Sequence, residues 1–224
     1  KVKWVDTEAL ENGMSVDDCF DGVDGILIPG GFGDRGIEGK IMSSKYAREN
    51  GIPFFGICLG LQCAIIDFSR NVCGLDGANS SEFSSDCKYP VIDLMLDQKD
   101  VKSKGATMRL GSYSCNVKVG TKAHLAYGEV EIQERHRHRF EVNNTYRSQL
   151  EEKGLIISGE NSELNLVEMI EVKDHPWFIG VQFHPELKSR IVKAHPLFRD
   201  FIYASIEKKN NNSIEKIEPS MIQE

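Results

Sequence analysis

Cys58 lies in Gly56-Ile57-Cys58-Leu59-Gly60, a thiol flanked by glycines two positions to either side. The G-x-nucleophile-x-G form lets a chain turn sharply from strand into helix and lift one side chain off the carboxyl edge of a sheet. The unpaired N–H groups and positive dipole end of the following helix then favour thiolate, and a nearby imidazolium favours it further. A cysteine chosen at random is more often a small buried apolar side chain. The glycine spacing reverses that expectation here.

A thiol needs a base, and Gln182-Phe183-His184-Pro185-Glu186 supplies a histidine at the end of an apolar run with a carboxylate two residues on. If that run is a strand parallel to the one before Cys58, His184 reaches the same sheet edge, and Glu186 can orient its ring. Cys, His and a carboxylate together suit covalent acyl transfer: sulfur attacks a carbonyl, an oxyanion forms, and the imidazolium protonates the leaving amine. His175-Pro176 and His195-Pro196 lack that setting and read as surface turns.

Two further stretches carry polar chemistry. Gly30-Gly31-Phe32-Gly33 closes an earlier apolar run, where backbone N–H groups could form half of an oxyanion hole with the N–H of Leu59. Gly31, Gly33 and Gly36 also match G-x-G-x-x-G, but position 56, twenty residues past Gly36, is glycine where a dinucleotide fingerprint wants an acid. Glu134-Arg135-His136-Arg137-His138-Arg139 is the basic cluster. It reads as a solvated strand or loop, or as an anion-binding arginine for a small substrate.

Positioning these groups calls for alternating strands and helices. Lys1 to Asp6 and Asp24 to Pro29 read as strands, Glu38 to Asn50 as a crossover helix, Ile52 to Ile57 as a strand and Leu59 to Phe68 as a helix. Asn71 to Gly120 reads as loops and short strands. Leu164 to Val172 and Trp177 to Phe183 have strand composition, and Pro196 to Ile206 helical spacing. The expected architecture is α/β and three-layered, a mostly parallel central sheet with helices on both faces. Residues 1–205 form one domain, and 206–224 a polar, disordered tail.

The bulk properties narrow the partners. With 224 residues, 40% of them hydrophobic, the chain can bury a full core. A net charge of −7 argues against a nucleic-acid receptor. No apolar run approaches the roughly 20 residues of a spanning helix and no signal peptide is evident, so a cytoplasmic protein without membrane contact is expected. The six cysteines include no C-x-x-C pair, which argues against a metal or disulfide framework.

These stretches resemble the class I (triad) glutamine amidotransferases, and more closely the glutaminase domains of the cytidine triphosphate synthases, over residues 1 to about 205. The most specific parts are Pro29 to Gly33 with Arg35-Gly36 and Glu38 to Lys40, Gly56 to Gln62, and Ala78-Asn79-Ser80-Ser81-Glu82-Phe83. Thr107-Met108-Arg109-Leu110-Gly111, Arg135 to Arg139 and Gln182 to Glu186 complete the set. The elbow and Phe-His-Pro-Glu are class-wide. The Asn-Ser-Ser-Glu-Phe, Thr-Met-Arg-Leu-Gly and Arg-His-Arg-His-Arg stretches separate the cytidylate type from guanylate or carbamoyl phosphate synthesis.

The resemblance implies Cys58, His184 and Glu186 as triad, with Gly31 and Leu59 as oxyanion donors. Leu59, Gly60, Leu61 and Gln62 would line a glutamine pocket, Glu82 holding the substrate ammonium and Arg139 its carboxylate. It implies no cofactor or metal in this domain. ATP and Mg2+ belong to a separate N-terminal synthase domain that aminates UTP, GTP activates the glutaminase, and the full-length protein is a homo-tetramer. It also implies that the family's first strand and helix are missing here. Asp34, Ser84 to Lys88 and Ile191 depart from the family pattern, all away from the triad. The alternatives are another class I amidotransferase, a γ-glutamyl hydrolase, or a non-catalytic assembly domain.

Overall fold

The structure is a computed structural model and describes residues 1–94 and 108–215. In chain order it forms α1 (Thr7–Glu11), α2 (Val16–Phe20), β1 (Ile26–Ile28), α3 (Ile37–Glu49), β2 (Phe54–Ile57), α4 (Leu59–Asn71), β3 (Ala78–Ser80), β4 (Tyr89–Asp93) and β5 (Arg109–Val117). Then come α5 (Lys122–Tyr127), β6 (Glu131–His138), β7 (Glu141–Val142), α6 (Arg147–Glu152), β8 (Leu155–Asn161), β9 (Leu166–Val172), β10 (Phe178–Val181) and α7 (Pro196–Glu215). The main sheet has the order β1-β2-β10-β9-β8-β5-β6, and β3-β4-β7 form a smaller one.

The central strands β2 and β10 are buried at every position because helices cover both faces. Their period-2 alternation sorts Phe54 and Phe178 to one face, where the rings stack 4.3 Å apart and meet Leu61 and Ile65 of α4. Phe55, Ile57, Ile179 and Val181 go to the other face, with Leu197 and Phe201 of α7. Helix α4, packed between the main sheet and the rest of the core, is buried at eleven of its thirteen positions, the polar Gln62, Asp67 and Ser69 among them.

The α/β class and the three-layer arrangement are as expected, but the sheet is mixed. Within the main sheet, parallel pairing is confined to β1·β2 and β2·β10; the β10·β9, β9·β8, β8·β5 and β5·β6 pairings are antiparallel. Apolar runs show which strands are buried and leave their direction open. Lys1 to Asp6 is not a strand: Val2 and Trp4 are 74% and 90% exposed, so the alternation has no face to bury, and Asp6 caps α1. Strand β5 runs for nine residues inside the stretch read as loops and short strands, longer than expected there. The polar stretch from 206 does not leave the fold at once, since α7 continues to Glu215 with no proline or glycine to stop it. Positions 95–107, including Thr107 of the Thr-Met-Arg-Leu-Gly stretch, and 216–224 of the expected tail lie outside the described residues.

Candidate active site

Because β1, β2 and β10 are parallel, the segments that leave them emerge on one edge: Gly30-Gly31 after β1, Cys58 after β2, His184 after β10. Cys58 has φ 51° and ψ −99°, a left-handed conformation that is costly for a residue with a Cβ. Its N–H donates to Val181 O at 2.7 Å, which fixes the turn against β10. The flanking glycines are required by backbone contact. A Cβ on Gly56 would lie 2.6 Å from Gly60 C, and one on Gly60 would collide with the carbonyl of Ile28.

His184 Nδ1 and Glu186 Oε1 are 2.6 Å apart, while Nε2 is buried and has no hydrogen-bond partner among the described residues. The His184 N–H donates to Arg135 O at 2.8 Å, tying the turn to β6. The ideal Cβ position of Gly30 is 2.8 Å from His184 Cε1 and 3.6 Å from Cys58 Cβ, so ring and sulfur-bearing carbon share the space that this glycine leaves empty. Burial pushes the Glu186 carboxyl up, but the hydrogen bond from His184, a backbone N–H and the charges of His184 and His195 outweigh it and leave the group below its ordinary value.

Burial pushes the Cys58 thiol up to about 12; the Leu59 N–H pulls it down, and the charges of Glu141, Glu186 and Glu82 push it further up. That balance holds the sulfur as a thiol. Gln182 Nε2 stands 3.6 Å from it.

Cys58 opens onto a cleft of about 270 Å³ lined by Gly31, Phe32, Gln62, Glu82, Met108, His138, Arg139 and Phe140. The segments that leave β3 and β6 thus bring a carboxylate and a guanidinium to the same small space as the thiol. Of the stretch Leu59 to Gln62, only Gln62 is among the lining residues. Leu61 is buried against Gly180 of β10, Gly60 against β1, and Leu59 Cδ2 meets Gly31. Those three are not among the residues that line the cleft. Sequence reasoning missed Phe32, Met108, His138 and Phe140; His138 and Phe140 flank Arg139, and the alternation of β6 was the available signal.

Strand β6 alternates exposed and buried along its length, so half of the basic cluster is solvated as expected and half is not. Behind the cleft His138 Nε2 and Glu141 Oε1 are 2.7 Å apart, and Arg109 bridges Glu141 at 3.1 Å and Glu168 at 2.8 Å. Burial raises Glu168 to about 7 against the pull of Arg109. His175 and His195, read as surface turns, are both buried. His175 Nδ1 accepts from the Trp177 N–H and His195 Nδ1 from the Leu197 N–H, while Nε2 reaches Ala47 O and Glu134 Oε1 respectively. In both, the histidine ring caps the turn that its own His-Pro dipeptide makes, and so it is drawn inward.

A family model described as glutamine amidotransferase class-I matches residues 1–204. The chain belongs to the class I glutamine amidotransferases. Within that family it groups with the glutaminase domains of CTP synthases. It is 37% identical to the Trypanosoma brucei CTP synthase glutaminase domain solved with bound acivicin, with a TM-score of 0.86 over 92% of this chain and 81% of that one. It is 58% identical to the CTP synthase of Caldanaerobacter subterraneus subsp. tengcongensis over 95% of this chain and 39% of that protein. To the CTP synthase of Clostridium acetobutylicum it is 60% identical over 90% of this chain and 37% of that protein. This amidotransferase chain thus spans about two fifths of the length of those relatives. A Thermoplasma acidophilum protein described as one component of a GMP synthase shares the fold at 20% identity and a TM-score of 0.56, over 88% of this chain and 80% of that one. Among the described residues no helix is long and apolar enough to cross a membrane.

Proposed function

We propose that this domain hydrolyses L-glutamine to glutamate and ammonia through a γ-glutamyl thioester on Cys58, and that the ammonia is used to aminate UTP to CTP elsewhere in the longer polypeptide. The observation that carries the reading is the cleft in which Glu82, Arg139 and Cys58 meet. Free glutamine bears an ammonium and a carboxylate, and a selective pocket presents one group of each opposite sign.

His184 accepts the Cys58 proton through Nε2 as sulfur attacks the side-chain amide carbon, and Glu186 holds the ring and the charge it gains. The oxyanion is received by the N–H groups of Leu59 and Gly31. His184 returns its proton to the departing nitrogen, and ammonia leaves. Water, deprotonated by His184, then attacks the thioester, and glutamate departs as the thiol is restored.

ATP and magnesium act in the synthase portion, GTP stimulates hydrolysis, and the whole protein is a cytoplasmic homo-tetramer. The test uses the whole natural polypeptide. Cys58→Ala abolishes glutamine-dependent CTP formation and spares formation from ammonium; retained use of glutamine overturns the reading.

A further inference from the structure

The sulfur of Cys58 is met by a run of side-chain amides whose polarity is set by a backbone group. Phe140 O can only accept, so Gln62, whose Nε2 lies 3.1 Å from it, must turn its nitrogen that way. The same Nε2 lies 3.3 Å from Gln182 Oε1. Gln182 then has its own Nε2 left, 3.6 Å from Cys58 Sγ, an ordinary separation for the larger sulfur atom. Flipping Gln182 would set two nitrogens against each other and leave the sulfur facing an oxygen. The residue is fully buried, and its backbone N–H donates to Glu168 O at 2.9 Å, so the side chain starts from a fixed point at the end of β10.

We propose that Gln182 is a positioning residue for the nucleophile, its amide N–H holding the Cys58 sulfur and stabilising the thiolate, with Gln62 and the Phe140 carbonyl dictating which end of the amide faces it. The proposal rests on Cys58 being the nucleophile. A hydrogen bond to an ionised acceptor is about twice as strong as one to a neutral acceptor, so the N–H favours thiolate over thiol. The relay starts at the residue after Arg139, which ties the amide's orientation to the strand end that bears a wall of the cleft.

The test reads thiolate formation directly, in the whole natural polypeptide and without glutamine. Alkylation of Cys58 by iodoacetamide and by the bulkier N-ethylmaleimide is followed by mass spectrometry of the Cys58 peptide between pH 7 and pH 10. Gln182→Met and Gln182→Leu both lose the N–H but differ in shape. Each is expected to slow alkylation by both reagents about tenfold, as the loss of one charge-assisted bond implies. Gln62→Leu frees the Gln182 amide to turn and gives a smaller fall. Rates within twofold of wild type in a folded Gln182 variant overturn the proposal, as does a fall confined to the bulkier reagent, which reports access. Should neither Gln182 variant fold, Gln62→Leu decides by the same criterion. A failed glutaminase reading shows instead as absent ammonia release from glutamine in the wild type.

Discussion

Two His–Glu pairs with buried histidines lie close together in this chain and differ in how their rings are held. His184, whose ring shares the space over Gly30 with Cys58 Cβ, pairs with Glu186 through Nδ1 and leaves Nε2 without a partner among the described residues. His195 pairs with Glu134 through Nε2, and Tyr127 Oη and Lys188 Nζ also meet that carboxylate. The residue types are the same; the difference is whether a ring nitrogen is left over. A buried polar atom without a partner costs stability, so a ring nitrogen left over next to the proposed nucleophile points to chemistry, whereas a ring bonded through both nitrogens, as His195 is, points to structure.

The largest effect expected from breaking this contrast is on the first pair. His184→Ala should lower kcat/KM for glutamine hydrolysis, measured as ammonia release, by roughly 10²–10⁴-fold, the usual worth of an acid–base group, with little change in the denaturation midpoint. Gly30→Ala should cost about 10²-fold in the same assay. The new methyl displaces the His184 ring, and misplacement by about an ångström has that scale of effect.

His195→Ala should do the reverse. It leaves turnover within a few-fold and lowers stability to urea by roughly 2–3 kcal/mol, because Glu134 loses a partner in a fully buried position. A turnover loss as large as that of His184→Ala would erase the distinction between the pairs.

The smallest effect is on pH dependence. Burial pushes Glu134 up, but the hydrogen bond and charge of His195, with Lys188, hold the folded carboxyl below its ordinary value. The folded state therefore binds this proton less readily than the unfolded chain. Its contribution is present above the ordinary carboxylate value, about 4.3, and is lost as pH falls through the lowered folded value. Glu134→Gln should flatten the acid limb of stability below about pH 4.3 by up to about 1.4 kcal/mol per pH unit, measured by urea unfolding at stepped pH.

What the sequence made legible was local. The elbow at Cys58 follows from glycines whose absent side chains are demanded by backbone packed against them, and the apolar runs of β2 and β10 follow from burial on both faces. Strand direction in the β9–β6 half depends on which segments meet, which no window of residues reports. His175 and His195 escape a local reading for a related reason. A His-Pro dipeptide signals a turn, but whether that turn faces water depends on what packs over it. The amide run onto Cys58 joins residues 78 and 120 positions apart, Gln62 with Phe140 and with Gln182, and was equally out of reach.

The mixed sheet also bears on the order in which the molecule assembles. Strands β5 and β6, and β8 and β9, pair with near neighbours in the chain, whereas β2 must find β10 across more than half its length; Cys58 and Gln182 are 124 positions apart. Closing so long a loop is entropically the slower event. On the proposed mechanism, the thiol acquires its base only when this long-range pairing is made, and a partly folded chain carries Cys58 without the means to use it.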